Sequence, residues 1–209
     1  MKEKPILFSG PMIRAILANT KTQTRRIFKP DRMTWDANGR YTTHAMRGGE
    51  LSITGSGPFK PSSWLHYCPY GQPGGDRLYV RETWAAPHAY DHLPPRLIPQ
   101  DARIHYAATE DRGGLLWRPS IHMPRHASRI TLEVTGVRVE LLQDISEADA
   151  LAEGIVRQPD GGYGLGDTTH YHFTNPRYSY FSLWEAINGE GSVDANPFVW
   201  CVSFSRVTP

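Results

Sequence analysis

The sequence predicts an α+β domain with a small β-barrel at its centre. Several short stretches alternate apolar and polar residues as strands do, and only three short helices are indicated among them. The most regular stretch, residues 130–142, shifts its alternation by one position at Gly136. Such a shift indicates a β-bulge or a tight bend between two strands, and bends of this kind close small barrels.

The length of 209 residues favours a single domain spanning residues 1–209, because a chain of this size can bury one substantial core. Two long loop insertions are expected within it. Residues 29–75 are rich in glycine and proline and hold few apolar residues, which indicates hairpins and loops. Residues 157–176 form a Gly/His-rich loop that follows Glu153 directly, so we interpret it as a candidate lid.

The composition narrows the class of protein. A net charge of only +2 excludes a strongly basic nucleic-acid coat, so any nucleic-acid site must be a local patch. Cys68 and Cys201 lie too far apart to suggest a disulfide framework, which favours a reducing cytosol. The first apolar run is too short for a signal peptide and no stretch approaches a membrane span, so we expect a cytoplasmic protein with no membrane partner.

The first strand and helix are predicted from residues 4–19. Residues 4–9 read as a short strand. Pro11 then marks the first turn of a helix, where its missing N–H is not needed. Residues 13–17 carry an apolar helical face, and Asn19 suits the left-handed conformation of a C-terminal cap.

Residues 77–84 alternate as a further strand, which places Glu82 on the same face as Leu78 and Val80. If that face points inward, Glu82 is a buried carboxylate that needs a partner. Two interpretations stay open: a structural ion pair with an arginine, or the wall of a binding pocket.

The last third of the chain predicts two helices and a final strand. Ser146 and Asp149 match a capping box at the start of a helix that ends at Gly154. The final strand alternates over 198–204. The second helix covers residues 177–188, with its core face formed by Phe181, Trp184 and Ile187.

Residues 16–26 are the first candidate for chemistry. They combine three threonines, one lysine and two adjacent arginines after an apolar run. Hydroxyl groups beside cations suit an anionic partner, or an acyl or phosphoryl group. A solvated loop after a helix is the alternative.

Residues 117–129 form a second basic cluster, in which arginines alternate with an aromatic residue and two prolines. Cations beside an exposed aromatic ring suit phosphate contact and base stacking, and a solvated loop around a buried tryptophan is the alternative. The arginines are Arg118, Arg125 and Arg129.

No cofactor motif is present in the sequence, and we predict no metal site. A structural zinc site needs four ligands, whereas the His/Cys groupings here are pairs at unconvincing spacings. These pairs are His66 with Cys68, His88 with His92, and His170 with His172.

The stretch from Leu17 to Arg26, LANTKTQTRR, resembles the signature of ASCH domains, a branch of the PUA-like group of small β-barrels that handle RNA and modified nucleobases. The Gly75-Asp76 strand and the 145–153 segment, ISEADALAE, resemble further parts of the pattern. The resemblance implies a PUA-like barrel with short flanking helices. Residues 119–125, PSIHMPR, are similar to a segment of prophage proteins, which implies a phage or prophage origin.

Small members of the ASCH family remove the acyl group from N4-acetylcytidine with a Lys, a Thr and a Glu as base, nucleophile and acid. The resemblance assigns these roles to Lys21, Thr24 and Glu153. Glu153 also falls at a predicted helix C-terminus, where the dipole disfavours a carboxylate, and this is an independent hint of function. Arg25 departs from the family, which has an apolar residue there.

Amide hydrolysis of an N4-acylated, cytidine-like nucleoside or nucleotide is therefore the first expectation. The second is an RNA- or DNA-binding module, a modified-base reader or a ribonuclease, with RNA the more favoured partner. That module would hold phosphates with Lys21, Arg25, Arg26 and the 117–129 cluster. Glu82 and Trp84, at the end of the 77–84 strand, complete the candidate binding residues. The sequence leaves the oligomeric state open.

Overall fold

The computed structural model describes residues 2–28, 42–47, 50–54, 64–111, 113–165 and 174–207. The architecture is α+β, as predicted. The helices are α1 (Gly10–Leu17), α2 (Glu147–Ala152) and α3 (Pro176–Asn188), with short 3₁₀ turns between elements. The strands are β1 (Glu3–Leu7), β2 (Gln23–Ile27), β3 (Thr42–Arg47), β4 (Glu50–Thr54), β5 (Trp64–Tyr67), β6 (Arg77–Arg81), β7 (Trp84–Ala85), β8 (His105–Tyr106), β9 (Thr131–Leu141), β10 (Ile155–Arg157), β11 (Tyr163–Leu165) and β12 (Phe198–Val207).

Five strands form the main sheet, in the order β1-β6-β9-β12-β2. The β1–β6 pair is parallel and the other pairs are antiparallel. Within the described residues β1 and β2 are the two edges of this sheet, so the barrel expected from the sequence is not closed by a strand ladder. Instead a side chain spans the two edge strands: Arg26 on β2 donates from Nη2 to the Leu7 carbonyl on β1, at 2.7 Å.

Strand β12 is buried on both faces, because its two alternating sets of residues meet different cores. Trp200, Val202 and Phe204 pack with α1 and β6 in one cluster, whereas Val199 and Cys201 pack against α3 in another. The predicted burial of Trp184 is confirmed, at 5% exposure, and Trp200 is likewise buried, at 3%. A strand buried on both sides is fixed in register, since a slip of one residue would exchange the two sets.

The irregularity predicted at Gly136 is a bulge within a single long strand. Ser203 of β12 pairs with Gly136 and the next residue, Phe204, pairs with Val134, so Thr135 is the extra residue. The bulge explains why the apolar alternation of the sequence changes phase here.

The prediction for α3 needs one correction. Trp184 is buried, but Ile187 is 56% exposed, and the buried face is made by Pro176, Ser179, Tyr180, Leu183 and Trp184. The apolar spacing alone placed the core face one position too far along the helix. Ile187 lies near the C-terminal end of α3, where it lines the rim of a cleft described below.

The two expected insertions contain regular structure. Strands β3, β4 and β5 form an antiparallel three-stranded sheet within 29–75. The sequence also predicts a hairpin turn at Asn38-Gly39, a dipeptide typical of such turns, but these residues lie outside the described ranges. In the 157–176 segment, β11 pairs with β10 and Leu165 is buried in the core around α3. Part of the proposed lid is therefore a packed strand. His170 and His172 lie outside the described residues.

Among the described helices, none has the length and apolar character needed to traverse a lipid bilayer.

Candidate active site

A tight reversal after α1 brings Lys21 to the site. Asn19 adopts the predicted left-handed conformation, with φ of 57°. The backbone N–H groups of Thr20 and Lys21 then both donate to the Ala15 carbonyl, at 2.9 and 3.1 Å, which turns the chain back along the helix. Because of this turn, Lys21 precedes the strand that begins at Gln23. The direction of its side chain is therefore not fixed by the alternation of side chains along that strand.

Glu153 arrives from the end of α2. Ser146 caps this helix as predicted, since its side chain accepts from the Asp149 N–H, and Glu153 is the C-terminal cap residue. An isolated β-bridge joins Lys21 to Glu153. Close approach depends on Gly154, where φ is +98° and an added Cβ would lie 3.3 Å from the Lys21 Cβ. A side chain at position 154 would therefore both strain the backbone and push Lys21 away.

The Lys21 amine is buried against Glu153. Lys21 is 2% exposed, and its Nζ donates to the Glu153 carboxylate Oε2 at 2.7 Å and to the Glu153 carbonyl at 2.8 Å. Burial lowers the pKa of the Lys21 amine; the Glu153 carboxylate opposes this shift, and the nearby Arg26 and Arg25 charges reinforce it. The structure thus places the predicted base and acid in direct contact.

Thr24 lies in β2 and lines a small cleft of about 70 Å³ together with Glu153. In the part of the chain that the structure describes, no hydrogen bond involves the Thr24 hydroxyl, and the Lys21 amine is directed to Glu153. The remaining cleft residues come from three elements and include two aromatic side chains: Met12, Arg25, Arg26, Ile27, Tyr180, Leu183, Trp184, Ile187 and Asn188.

Arg25 is the centre of a buried ion network. Its side chain has no exposed surface, and its guanidinium contacts Glu140, Glu153 Oε1 at 3.2 Å and Asp149 Oδ2 at 3.3 Å. Gln23 accepts a further hydrogen bond from Nη1, at 2.7 Å. Three carboxylates therefore surround Arg25, the position at which the sequence differs from the ASCH signature.

Arg138 completes this network from β9, with Nε on Glu140 at 2.9 Å and Nη2 on Asp149 at 2.9 Å. Burial opposes ionisation of Glu140, but Arg25 and Arg138 hold the pKa of its carboxyl below the ordinary value. The network ties α2, and with it Glu153, to strands β2 and β9.

Glu82 forms an ion pair with an arginine, which was one of the two interpretations of this carboxylate. Glu82 is 2% exposed, and Arg129 holds both of its oxygens, at 2.9 and 3.0 Å. Burial raises the pKa of the Glu82 carboxyl, while Arg129 opposes the shift. Trp84 is fully buried in a separate core with Met123 and Ala127, so its ring is not presented to a base.

The other arginines of the 117–129 cluster also bond within the protein. Arg118 donates to the carbonyls of Leu93, Tyr90 and Asp91, and its guanidinium lies 5.7 Å from the Trp84 ring. Arg125 makes a bidentate pair with Glu3, at 2.7 Å for each bond. Nothing among these contacts brings the cluster to the Lys21–Glu153 site.

These contacts predict a result for RNA binding. Replacing Arg118, Arg125 or Arg129 by alanine should leave the salt slope of any RNA affinity unchanged, because each guanidinium is already held by the protein. Fluorescence anisotropy with a labelled oligonucleotide, over a series of salt concentrations, measures this slope. A slope that becomes shallower by about one per substitution would show phosphate contacts and restore the nucleic-acid interpretation.

Sequence reasoning missed the aromatic wall of the cleft and the carboxylates around Arg25. Tyr180 and Trp184 are four residues apart, so they share one helical face, and this spacing was a usable signal. Glu140 and Asp149 gave no comparable signal, because their relation to Arg25 arises from strand pairing and helix docking.

No metal centre was predicted, and the described residues contain no group of three or more His, Cys, Asp or Glu side chains arranged to hold a metal ion. Comparison of the chain with protein-family models, curated proteins and solved structures gave no match.

Proposed function

We propose that this protein hydrolyses the amide of an N4-acylated cytidine-like nucleoside or nucleotide with Lys21, Thr24 and Glu153. The observation that carries the proposal is the buried Lys21–Glu153 pair, whose carboxylate lines the same cleft as Thr24. A buried lysine with a lowered pKa and a carboxylate partner is typical of sites that move protons. The ASCH resemblance supports the same assignment.

The barrel of the ASCH type belongs to this proposal. The main sheet has the bulged strand and flanking helices expected of it, and its two edge strands are linked by the Arg26–Leu7 hydrogen bond. We interpret this side-chain contact as the closure of a small barrel whose edges are not paired by backbone ladders.

The pair supplies a base and an acid at once. The ion pair and its neutral form, an amine beside a carboxylic acid, differ by one proton moved along the 2.7 Å hydrogen bond from Nζ to Oε2. In the neutral form, Lys21 accepts the proton of the Thr24 hydroxyl as its oxygen attacks the acyl carbon. Glu153 then protonates the leaving N4 amine as the C–N bond breaks, and water hydrolyses the threonyl ester.

Substrate binding must complete this arrangement, because the Lys21 amine is bonded to Glu153 rather than to Thr24. Catalytic hydrogen bonds often form only in the substrate complex. A bound acyl group in the cleft would place its carbonyl carbon beside Thr24, and a water molecule or a rotation of the Lys21 amine would connect the hydroxyl to its base.

The burial and ion pairing of most candidate cations support hydrolysis rather than nucleic-acid binding. Lys21 and Arg25 are buried in ion pairs, and Arg118 and Arg129 are bonded within the protein, so a phosphate could reach them only by displacing these partners. Arg125 is paired with Glu3 on the surface, and its side chain is 43% exposed. The cleft of about 70 Å³ has room for the acyl group beside Thr24 but not for a whole nucleoside, so the proposal requires the cleft to widen when the substrate binds.

The test is a screen of acylated and otherwise modified nucleosides, read by mass spectrometry, with a labelled RNA oligonucleotide incubated in parallel. We expect loss of the acyl group from an N4-acylcytidine by the wild type and not by Thr24→Ala. Cleavage of the oligonucleotide without deacylation of any nucleoside would contradict the proposal and favour a ribonuclease.

A further inference from the structure

Two buried donor groups, each on a residue that lines the cleft, have no hydrogen-bond partner in the part of the chain that the structure describes. They are the indole Nε1–H of Trp184 and the Nε–H of Arg26, and both residues line the cleft. Trp184 is 5% exposed, so bulk solvent is not an easy substitute. Few buried donors are unpaired in native structures, and a bound ligand is one explanation for a donor that has no partner within the protein.

The hydroxyl of Tyr180 adds a third donor. Tyr180 is 3% exposed and lines the same cleft. Burial and the neighbouring Glu153 carboxylate raise the pKa of this phenol well above its ordinary value, so it keeps its proton at neutral pH. No hydrogen bond of this hydroxyl occurs among the described residues.

The carboxylate that faces the cleft already has its donors. Glu153 Oε2 accepts from Lys21 and Oε1 accepts from Arg25, at 2.7 and 3.2 Å. The open groups of Trp184 and Arg26 are donors, and a ligand that satisfies them must bring acceptor atoms.

We infer that the indole N–H of Trp184 binds a carbonyl oxygen of the ligand, so that the cleft selects a carbonyl-bearing group. This inference rests on the proposed function, because it names how the acylated pyrimidine is recognised. Trp184 is then a binding residue that discriminates a carbonyl from an amino group at one position of the ligand. An amino group there would place two hydrogen-bond donors against each other.

The buried ions beside the cleft balance one another and do not by themselves create an anion site. Three cations, Lys21, Arg25 and Arg138, are matched by three carboxylates, Glu140, Asp149 and Glu153. A bound anion would therefore meet Glu153 without a surplus of buried positive charge. Arg26 adds one cation at the same cleft, so phosphate is the competing ligand that the experiment has to separate.

Indole N–H resonances of protein labelled with ¹⁵N-tryptophan provide the direct test. The Trp184 signal is assigned by its loss in Trp184→Phe, and the Thr24→Ala protein is titrated with N4-acetylcytidine to prevent turnover. We expect the Trp184 signal to move. The Trp84 indole is also buried and has no partner among the described residues, but it does not line the cleft, so its signal is the internal reference and should not shift. An unmoved Trp184 signal, or one moved equally by inorganic phosphate, overturns the inference.

Kinetics give a second measurement. Trp184→Phe keeps an aromatic ring and removes the donor, so KM for N4-acetylcytidine should rise about tenfold or more. Trp200→Phe removes a buried indole outside the cleft and is the matched control for lost core volume. Unchanged kinetics in Trp184→Phe overturns the inference alone. Absence of hydrolysis by the wild type would instead defeat the proposed function, and the titration would still report on carbonyl binding.

Discussion

Lys21→Met is expected to abolish hydrolysis of N4-acetylcytidine, with a loss in kcat/KM of about 10⁴-fold or more. Methionine fills much of the same buried space but cannot accept the proton of Thr24. Thr24→Ala and Glu153→Gln should each cause a loss of the same order, and the double variants should add little, because the three groups act as one unit. Steady-state rates with the purified nucleoside measure these effects.

Lys4→Met is the matched control, since the Lys4 amine is bonded to the Pro69 carbonyl and Lys4 does not line the cleft. Its rate should equal that of the wild type. A Lys21→Met protein that keeps its fold and retains more than a tenth of the wild-type rate would contradict the assignment of Lys21 as the base.

The pH dependence follows from one proton shared by the Lys21–Glu153 pair. The active state of the pair holds one proton. The rate should therefore rise with pH as the doubly protonated pair loses its first proton, and fall at higher pH as the pair loses its second proton. Burial lowers the pKa of the Lys21 amine, so the falling limb should lie below the pH at which an ordinary lysine titrates. A rate that keeps rising beyond that pH would contradict a protonated pair in the active state.

Arg25→Leu is expected to cost about 3–5 kcal/mol of folding free energy, because removal of one partner leaves buried charge uncompensated. Arg25 is held by Glu140, Asp149 and Glu153, and its side chain is fully buried. Urea unfolding of the wild type and the variant measures the difference. Replacing Glu140 by leucine in the Arg25→Leu background should recover part of the loss, since it removes one of the orphaned carboxylates.

Arg125→Leu provides the comparison on the surface. Arg125 makes an equally well-formed bidentate pair with Glu3, but its side chain is 43% exposed, and surface pairs contribute only about 0–1 kcal/mol. An Arg25→Leu protein as stable as Arg125→Leu would show that the buried network does not hold α2 and Glu153 in place.

Features that depend on near neighbours in the chain could be predicted from the sequence. The α+β class, the left-handed Asn19, the Ser146 cap and the bulge beside Gly136 all follow from backbone preferences and from alternation over a few residues. The same reasoning placed Glu153 at the end of α2. For these features, the local free-energy terms and the global fold agree.

Tertiary structure decided every contact between distant segments. The Lys21–Glu153 hydrogen bond joins residues 132 positions apart, and the spacing of residues in the chain carries no information about it. The resemblance implied only that the two residues act together. Glu3 and Glu82 are the ion-pair partners of Arg125 and Arg129, and they too are distant in sequence from the arginines they bind.

The contact between the two edge strands of the main sheet and the formation of the cleft both depend on long-range packing. Whether β1 and β2 pair depends on how the whole sheet twists, and here the Arg26 side chain links them instead of a backbone ladder. Arg26 and Trp184, whose buried donors have no partner among the described residues, line one cleft because β2 pairs with β12 and α3 packs against β12. Strand register and helix docking are long-range packing choices, and they decide which buried groups find a partner within the protein and which remain open to a ligand.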